Sequence, residues 1–289
     1  MDGISRKWRF WVAAAFLLLA WFGLGRLENS IIFIPSRQFA IIPASFGLAH
    51  KEVYLITSDG ERLHGWFLPE APWKPKPSAR PTRGPLAGKG LVLLYCHGNA
   101  GNISNRVHKA DIFHRLGFSV LLFDYRGYGR SSGRASEIGT YRDAEAAYRY
   151  LVETKGFGPQ RVVIYGESLG NGVALETALR HPPGALILES AFTSIADMGR
   201  EIFPWLPARW VLRTRYDNLA KISRVRCPVL VMHSREDRVV PFRMGQALFA
   251  AAAQPKEFLE MIGSHDEGYI DMADAYPRTI LEFLRRSTR

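Results

Sequence analysis

Short apolar runs that alternate with helical patterns constrain this fold more than any other feature of the sequence. Five such runs occur in order, at residues 91–96, 119–124, 161–166, 185–190 and 228–233. A continuous apolar run of this length is typical of a strand that is covered on both faces. Helical patterns separate the runs, for example at 137–153 and 168–181. Strands that alternate with helices predict an α/β fold with a mostly parallel, doubly wound sheet.

Three further segments extend the predicted sheet to about eight strands. Residues 53–57 and 63–68 are β-rich and flank an Asp59-Gly60 turn, a pattern that predicts a hairpin. Residues 256–262 (KEFLEMI) are predicted to form the last strand.

Two segments interrupt this alternation. Residues 191–224, between the sixth and seventh predicted strands, are longer and more aromatic than a simple crossover requires. We predict that they form a small cap over the functional site, with a plain helical connection as the alternative. Residues 69–90 are rich in Pro, Gly, Lys and Arg, and they predict a solvent-exposed loop rather than a recognition motif.

The most specific chemical signal is the sequence Gly166-Glu167-Ser168-Leu169-Gly170. It follows a predicted strand and opens a helical pattern, which is the setting of a nucleophile elbow. Because the turn is sharp, the small residues Gly166 and Gly170 are needed to let neighbouring backbone approach closely. The helix N-terminus also favours negative charge that develops beside Ser168. We therefore predict that Ser168 is a nucleophile.

A serine nucleophile needs a base, and His265 is the candidate. In the chain order Ser, Asp or Glu, His, the base comes after the last strand. His265 stands there, in the sequence GSHDEG. A neutral imidazole can accept the serine proton near physiological pH. An ordinary loop histidine is the alternative interpretation.

The carboxylate that orients this base is expected in the loop after the preceding strand. The sequence HSREDRVVP offers Glu236 and Asp237 there. We predict that Asp237, just before the apolar VVP, fixes the tautomer of His265 and stabilises its imidazolium form. Glu236 is interpreted as a surface carboxylate, and Glu189 at the end of an earlier strand is a less favoured alternative.

Backbone amides are predicted to bind the oxyanion that forms when a serine attacks a carbonyl. One donor is the N–H of Leu169, which follows the nucleophile, and the other comes from the loop after the third strand. In that loop, CHGNAGN (96–102), Asn99 is the predicted donor. Such donors can stabilise the transition state by about 3–4 kcal/mol. We interpret His97 in the same loop as structural rather than as a second base.

No other motif predicts a bound cofactor or metal. The Gly-rich loop 123–134 has neither common phosphate-binding pattern, so we interpret it as a tight loop that shapes the pocket rim. The chain shows no cluster of residues with metal-ligand spacing. Cys96 and Cys227 border apolar runs and are interpreted as buried strand residues.

These motifs together resemble those of the alpha/beta-hydrolase superfamily. HGNAGN, FDYRGYGRSSG, GESLGNGVA, HSREDRVVP and GSHDE occur in order between about Glu52 and Leu284. The combination is similar to the branch with membrane-anchored alpha/beta-hydrolase domain-containing proteins and serine aminopeptidase-like hydrolases, whose animal relatives include protein depalmitoylases. The resemblance implies the alpha/beta-hydrolase fold with Ser168, Asp237 and His265 as its triad. One departure is Asn171, where many members have a further glycine.

The expected reaction is acyl transfer to water. Ser168 would attack an ester or thioester carbonyl of an acyl or lipid-like substrate, and an acyl-enzyme would then be hydrolysed. A serine peptidase or aminopeptidase-like hydrolase is the nearest alternative enzyme. A non-catalytic binding protein on the same fold is the alternative of a different class.

The N-terminus predicts an attachment to a membrane. Residues 10–25 carry no charge, and Arg6, Lys7 and Arg9 precede or border them. As a helix these sixteen residues would span roughly 24 Å, a little less than the roughly 30 Å hydrocarbon core. An uncleaved signal anchor is the first interpretation, and a cleaved signal peptide is the alternative. The basic flank predicts that the rest of the chain lies on the non-cytoplasmic side, which is the periplasm in a bacterium.

The sequence is accordingly divided into three parts. Residues 1–30 are the predicted anchor, 31–50 an apolar connecting segment, and 51–289 the catalytic domain. The formal net charge of +11 is scattered, and no nucleic-acid-binding motif accompanies it. We therefore expect attraction to a lipid surface rather than to nucleic acid.

Overall fold

An eight-stranded sheet forms the centre of the protein. The computed structural model describes residues 25–70, 85–205 and 207–287. The strands in chain order are β1 (Ile34–Pro35), β2 (Lys51–Ile56), β3 (Arg62–Leu68), β4 (Val92–Cys96), β5 (Ala100–Gly101), β6 (Ser119–Phe123), β7 (Val162–Glu167), β8 (Ala185–Glu189), β9 (Val229–Ser234) and β10 (Lys256–Met261). The order across the main sheet is β10-β9-β8-β7-β4-β6-β3-β2.

The six strands from β4 and β6 to β10 pair in parallel, and the β2–β3 hairpin is antiparallel. β3 also pairs antiparallel with β6. The predicted mostly parallel sheet of about eight strands is thus confirmed. All eight predicted strands agree with observed ones to within about two residues at either end.

Helices cover both faces of the sheet. They are α1 (residues 25–32), α2 (Val107–Leu116), α3 (Glu137–Arg149), α4 (Gly170–Arg180), α5 (Ile195–Ile202), α6 (Ala208–Val211), α7 (Asn218–Ile222), α8 (Phe242–Ala251), α9 (Gly268–Asp271) and α10 (Ala275–Ser287). Side chains alternate across β4, so that Leu94 faces the core under α3, α4 and α8, whereas Leu93 faces the core under α2 and α10. The sheet is therefore doubly wound, as predicted.

The segment after α1 carries a small feature that the sequence does not predict. β1 pairs in parallel with β5, in the register Ile34 to Ala100 and Pro35 to Gly101. Phe33 and Leu48 are buried in the two cores. The segment 31–50 therefore packs on the domain and contacts the loop that follows β4.

The predicted cap segment divides into two structural parts. α5 packs against α6, whereas α7 packs against α4 and α8 in the helical layer. Ile222 of α7 is fully buried in the core. Only the part with α5 and α6 is thus placed as a cap, and α7 is the ordinary crossover helix that precedes β9.

Within residues 25–70, 85–205 and 207–287, no helix is long and apolar enough to cross a membrane. The predicted anchor falls mostly on residues 1–24, which lie outside the described residues. Most of the Pro-rich loop, residues 71–84, also lies outside them. Cys96 and Cys227 are both buried free thiols. Cys96 ends β4 as predicted, whereas Cys227 precedes β9 and is not a strand residue.

Candidate active site

Ser168 occupies a strained turn between β7 and α4. Its φ of 51° lies in the left-handed region that non-glycine residues seldom adopt. The turn is tight because α4 begins directly beside the end of β4. A Cβ atom at Gly170 would collide with the carbonyl oxygen of Cys96, and one at Gly166 would lie 2.7 Å from the Cα of Asn171. The two glycines therefore have the steric role that the sequence predicts.

Asn171 braces this turn from within α4. Its Nδ2 donates to the carbonyl oxygens of Ser168 at 2.7 Å and Glu189 at 2.8 Å. The side chain thereby joins the serine turn to the end of β8. The residue that departs from the common family pattern thus supplies two hydrogen bonds that a glycine could not make.

Ser168, His265 and Asp237 form a continuous hydrogen-bonded chain. The Oγ of Ser168 lies 3.1 Å from Nε2 of His265, and Nδ1 of His265 lies 2.7 Å from Oδ2 of Asp237. Asp237 follows β9 and His265 follows β10, and these strands are parallel neighbours. Their carboxyl ends meet at the same edge of the sheet as the end of β7. The topology therefore brings together three residues that are far apart in sequence.

The surroundings of Asp237 favour its ionised form. Burial alone would raise the pKa of Asp237, but hydrogen bonds with His233 and His265 hold it well below its ordinary value. The other carboxylate oxygen accepts from the backbone N–H groups of Val239 and Val240, both at 2.8 Å. Asp237 is thus a fixed anion beside the imidazole. Glu236, the competing carboxylate, instead accepts from the amide of Gly263.

The charge of Asp237 acts in turn on His265. Burial alone would lower the pKa of His265, but the hydrogen bond and the charge of Asp237 raise it above its ordinary value of 6.5. The Nδ1 atom is held by the carboxylate. Nε2 is therefore the nitrogen that faces Ser168.

The two residues predicted to supply the oxyanion donors lie close to Ser168. Asn99 and Leu169 line the same cavity as the serine. The carbonyl oxygen of Asn99 accepts from the N–H of Ile34 at 3.0 Å and from the hydroxyl of Tyr128 at 2.7 Å. β1 and the Gly-rich loop thus hold Asn99 through its carbonyl, one peptide unit after the N–H that is the predicted donor.

The Gly-rich loop supports the Asn99 loop from behind. The hydroxyl of Tyr125 donates to the carbonyl oxygen of His97 at 3.1 Å. None of the described residues that line the cavity comes from 123–134, so the loop does not form the predicted rim. His97 is fully buried, and burial lowers its pKa to about 4. Its Nδ1 contacts the carbonyl of Gly98 at 2.7 Å, which fits the structural role predicted for it.

A buried ion cluster that the sequence analysis missed lies under the serine turn. The Nζ of Lys109 lies 2.9 Å from Oε1 of Glu167 and 2.8 Å from Oε1 of Glu189. Burial alone would raise the pKa of Glu167, but Lys109 and Arg106 lower it below its ordinary value. Glu167 therefore stays ionised directly before the nucleophile. The signal for this cluster was a lysine among the mostly apolar buried residues of α2.

Tyrosine hydroxyls complete the cluster. Tyr165 and Tyr276 each donate to Oε2 of Glu189 at 2.6 Å, and Tyr95 donates to Oε2 of Glu167 at 2.7 Å. Glu189 is thus bound by a lysine and two hydroxyls, and no hydrogen bond joins it to His265. The geometry therefore does not support Glu189 as the acid that orients His265.

A cavity of about 320 Å³ opens beside Ser168. Its walls come from α1, the Asn99 loop, the cap and the residues after Asp237: Glu28, Ile31, Ile32, Asn99, Ser168, Leu169, Phe192, Ile195, Met198, Gly199, Ile202, Phe203, Leu212, Val239 and Val240. Glu28 is the one charged residue among these described lining residues. Its carboxylate accepts from the backbone amides of Arg213 at 3.0 Å and Thr214 at 2.6 Å. The space available to a ligand is therefore almost wholly apolar.

Comparison with other proteins places these features in a known context. The chain is 39% identical over 276 residues to the uncharacterized protein Rv2307c of Mycobacterium tuberculosis, covering 94% of this chain and 92% of that one. It is 31% identical over 300 residues to the alpha/beta hydrolase domain-containing protein WAV2 of Arabidopsis thaliana, covering 95% and 91%. It is 32% identical over 278 residues to the lysophosphatidylserine lipase ABHD12 of Mus musculus, covering 85% and 69%.

Solved structures and a family profile agree with this likeness. The esterase Pf2001 of Pyrococcus furiosus superposes with a TM-score of 0.70 at 18% identity, over 88% of this chain and all of that one. Residues 92–219 match the sequence profile described as alpha/beta hydrolase fold. The chain therefore belongs to the alpha/beta-hydrolase family, as its ordered motifs predict.

Proposed function

We propose that the protein is a serine hydrolase that cleaves carboxylic ester or thioester bonds of acyl or lipid-like substrates. The observation that carries the proposal is the hydrogen-bonded chain from Ser168 through His265 to Asp237 at the wall of an apolar cavity. Relatives named as a lysophosphatidylserine lipase and a structural neighbour named as an esterase support ester hydrolysis.

In the proposed reaction, the Oγ of Ser168 attacks the carbonyl carbon while its proton passes to Nε2 of His265. The amides of Leu169 and Asn99 stabilise the oxyanion of the tetrahedral intermediate. The bond to the leaving alcohol or thiol then breaks, and His265 donates the proton to it. Water then attacks the resulting acyl-enzyme while His265 accepts a proton from the water. His265 returns this proton to the Oγ of Ser168 as the acyl bond breaks and the carboxylic acid leaves.

The apolar cavity favours an acyl chain over a charged substrate terminus. An aminopeptidase needs a free carboxylate to hold the substrate ammonium group. Glu28 is the only carboxylate of the described cavity wall, and backbone amides already occupy it. The peptidase alternative therefore has no such group in the described part of the cavity.

A fluorophosphonate probe tests the nucleophile. The wild-type protein should be labelled, Ser168→Ala should not, and Ser58→Ala on the exposed β2–β3 turn should be labelled like the wild type. Labelling that persists in Ser168→Ala, or no labelling of the wild type, contradicts the proposal. Hydrolysis of p-nitrophenyl esters of increasing chain length, compared with aminoacyl-anilides, then tests the bond type. A preference for the anilides would favour a peptidase.

We also propose that residues 1–30 anchor the chain in a membrane with the catalytic domain on the non-cytoplasmic side. The uncharged segment 10–25 and its basic flank support this proposal. Full-length protein should stay with the membrane pellet during carbonate extraction. External protease should reach the domain only where the non-cytoplasmic side is exposed, as in spheroplasts of a bacterial host. Release by carbonate would rule out the anchor.

A further inference from the structure

The cap carries an exposed apolar surface that the catalytic proposal does not use. Trp210 and Trp205 are 87% and 78% exposed, the highest values among the large hydrophobic side chains of the described residues. Exposed patches of this kind mark sites of interaction with a partner or a membrane. Tryptophan in particular prefers the boundary between lipid and water, because its ring is apolar and its N–H is polar.

The Trp205 part of this surface reaches the mouth of the cavity, because the ring of Trp205 lies 6.0 Å from that of Phe203. Ile31 of α1 and Ile202 and Phe203 of the cap line the cavity, yet they are 64%, 63% and 47% exposed. The same side chains therefore form both the cavity wall and the outer surface. We call Ile31, Ile202, Phe203, Trp205 and Trp210 the cap face.

The charge around the cap face is positive. The part of the cap that precedes α7, residues 191–216, contains four basic and two acidic side chains, a net charge of +2. Arg209 and Arg215 are exposed, and the guanidinium of Arg215 donates to the carbonyl oxygen of Arg209 at 2.6 Å. Basic residues beside an apolar surface complement the negative surface of an anionic bilayer. A polar protein partner would not explain the tryptophans, and a neutral apolar partner would not explain the arginines.

The first described helix, α1, also lies at this face. α1 is bound to the cap through the Glu28 carboxylate and the amides of Arg213 and Thr214. The uncharged segment 10–25 runs directly into α1. If the proposed anchor holds that segment in a bilayer, α1 therefore brings the cap face close to the same bilayer.

We propose that the cap face docks into an anionic lipid bilayer, so that the cavity opens toward the membrane and an ester lipid can reach Ser168 from within it. The inference rests on the proposed function for its substrate, whereas the docking itself does not require catalysis. The bilayer is the proposed occupant. A second copy of the chain and a covering by residues 1–24 are the competing outcomes.

A fluorescent label can measure the docking directly. Cys96 and Cys227 are the chain's two cysteines, and both are buried. A thiol introduced at the surface is therefore the accessible site for a thiol-specific label. The full-length variants Trp205→Cys and Trp210→Cys carry an environment-sensitive fluorophore and are reconstituted with phosphatidylcholine and phosphatidylglycerol vesicles. The matched control is Ile56→Cys on the outer edge strand β2, where the native side chain is 64% exposed.

Spin-labelled lipids should quench most of the emission from positions 205 and 210, and little from position 56. Equal quenching at all three positions overturns the proposal. Protection of positions 205 and 210 from aqueous iodide without lipid also overturns it. If this protection from iodide is lost when the protein is diluted, a second copy of the chain covers the positions. If it persists on dilution, another part of the same chain covers them.

Further variants separate membrane docking from ester hydrolysis. In a Ser168→Ala background the quenching should be unchanged, so docking can hold even if the proposed hydrolysis fails. Trp205→Ala with Trp210→Ala should lower the rate on a long-chain ester in vesicles several-fold and leave the rate on soluble p-nitrophenyl acetate unchanged. Arg209→Gln with Arg215→Gln should remove the rate advantage of phosphatidylglycerol vesicles over pure phosphatidylcholine vesicles. Equal losses on the vesicle and soluble substrates contradict docking.

Discussion

Individual side chains around Ser168 have electrostatic roles that can be separated by mutation. Lys109 lies between Glu167 and Glu189, and all three are buried. Removing the ammonium group leaves the buried Glu189 without a cation and leaves Glu167 with Arg106 alone. A buried ion pair that loses one partner costs about 3–5 kcal/mol, because the remaining charge is uncompensated.

Lys109→Met should therefore lower the free energy of unfolding by about 3–5 kcal/mol, as measured by urea denaturation. The matched control is Arg149→Met, which removes the cation from the exposed pair with Glu153. It should leave the free energy of unfolding almost unchanged, since exposed pairs contribute little. Similar effects of the two substitutions would contradict the structural role of the buried cluster.

Tyr128 is a positioning residue for Asn99, because its hydroxyl donates to the Asn99 carbonyl oxygen. Tyr128→Phe removes one hydrogen bond to the carbonyl of Asn99 while the ring stays in place. A hydrogen bond of this kind contributes about 0.5–1.5 kcal/mol, so kcat should fall by up to about tenfold. KM should change little, because the Asn99 amide is proposed to act on the oxyanion. Tyr54→Phe, on the exposed outer strand, is the control and should change neither constant.

The raised pKa of His265 sets the pH dependence. The neutral imidazole is the active base, so kcat/KM should rise as the pH passes upward through the pKa of His265, above 6.5. Asp237→Asn removes the charge that raises this pKa. The amides of Val239 and Val240 retain the remaining side-chain oxygen, so the NH₂ group of the new amide faces Nδ1 of His265 and no longer fixes its tautomer. The midpoint should move to lower pH and kcat should fall by about 10⁴-fold. Glu236→Gln keeps an acceptor for Gly263 and should leave both quantities as in the wild type.

At the scale of elements, α1 and the cap behave as one unit. The link is the Glu28 carboxylate, which accepts the amides of Arg213 and Thr214 across more than 180 residues of sequence. Glu28→Ala leaves these buried or half-buried donors without their partner, which costs about 1–3 kcal/mol. Hydrogen exchange at residues 208–215 should become faster, while exchange in β7 should not change. Unchanged exchange in the cap would show that the two elements are held independently.

How much of the structure the sequence predicts also differs from one element to another. The buried strands could be predicted because each is a local apolar run, and the triad could be predicted because each member follows such a run. The pairing of β1 with β5 could not, since two residues per strand leave no periodic pattern. The cap was only half predicted: the segment as a whole is aromatic, but Ile222 and its helix belong to the core. The Lys109 cluster was missed because its partners come from four different elements and no local pattern joins them.

At the scale of the whole molecule, buried carboxylates determine the response to acid. The pKa values of Glu167 and Asp237 are both lowered in the folded protein, from 4.5 and 3.8 in their ordinary state. A carboxyl group of this kind adds stability above its ordinary pKa, and that stability is lost as the pH falls through the folded value. The free energy of unfolding should therefore decline steeply with falling pH below about 4.5.

Urea unfolding at a series of pH values between neutrality and acid measures this decline. In Glu167→Gln the dependence on pH should be shallower, because one of the responsible groups no longer titrates. A slope identical to that of the wild type would show that Glu167 does not carry the effect, even if the variant is less stable at every pH.

The pairing of β1 with β5 has a mechanical consequence. The N–H of Ile34 is bonded to the carbonyl of Asn99, so one backbone contact separates the N-terminal segment from the residue whose N–H is proposed to stabilise the oxyanion. A chain tethered ahead of α1 would transmit tension along Phe33 and Ile34 into that loop. Pulling on the tether would shift the Asn99 donor before it disturbed the central sheet, and the load would be felt first as a slower reaction rather than as unfolding.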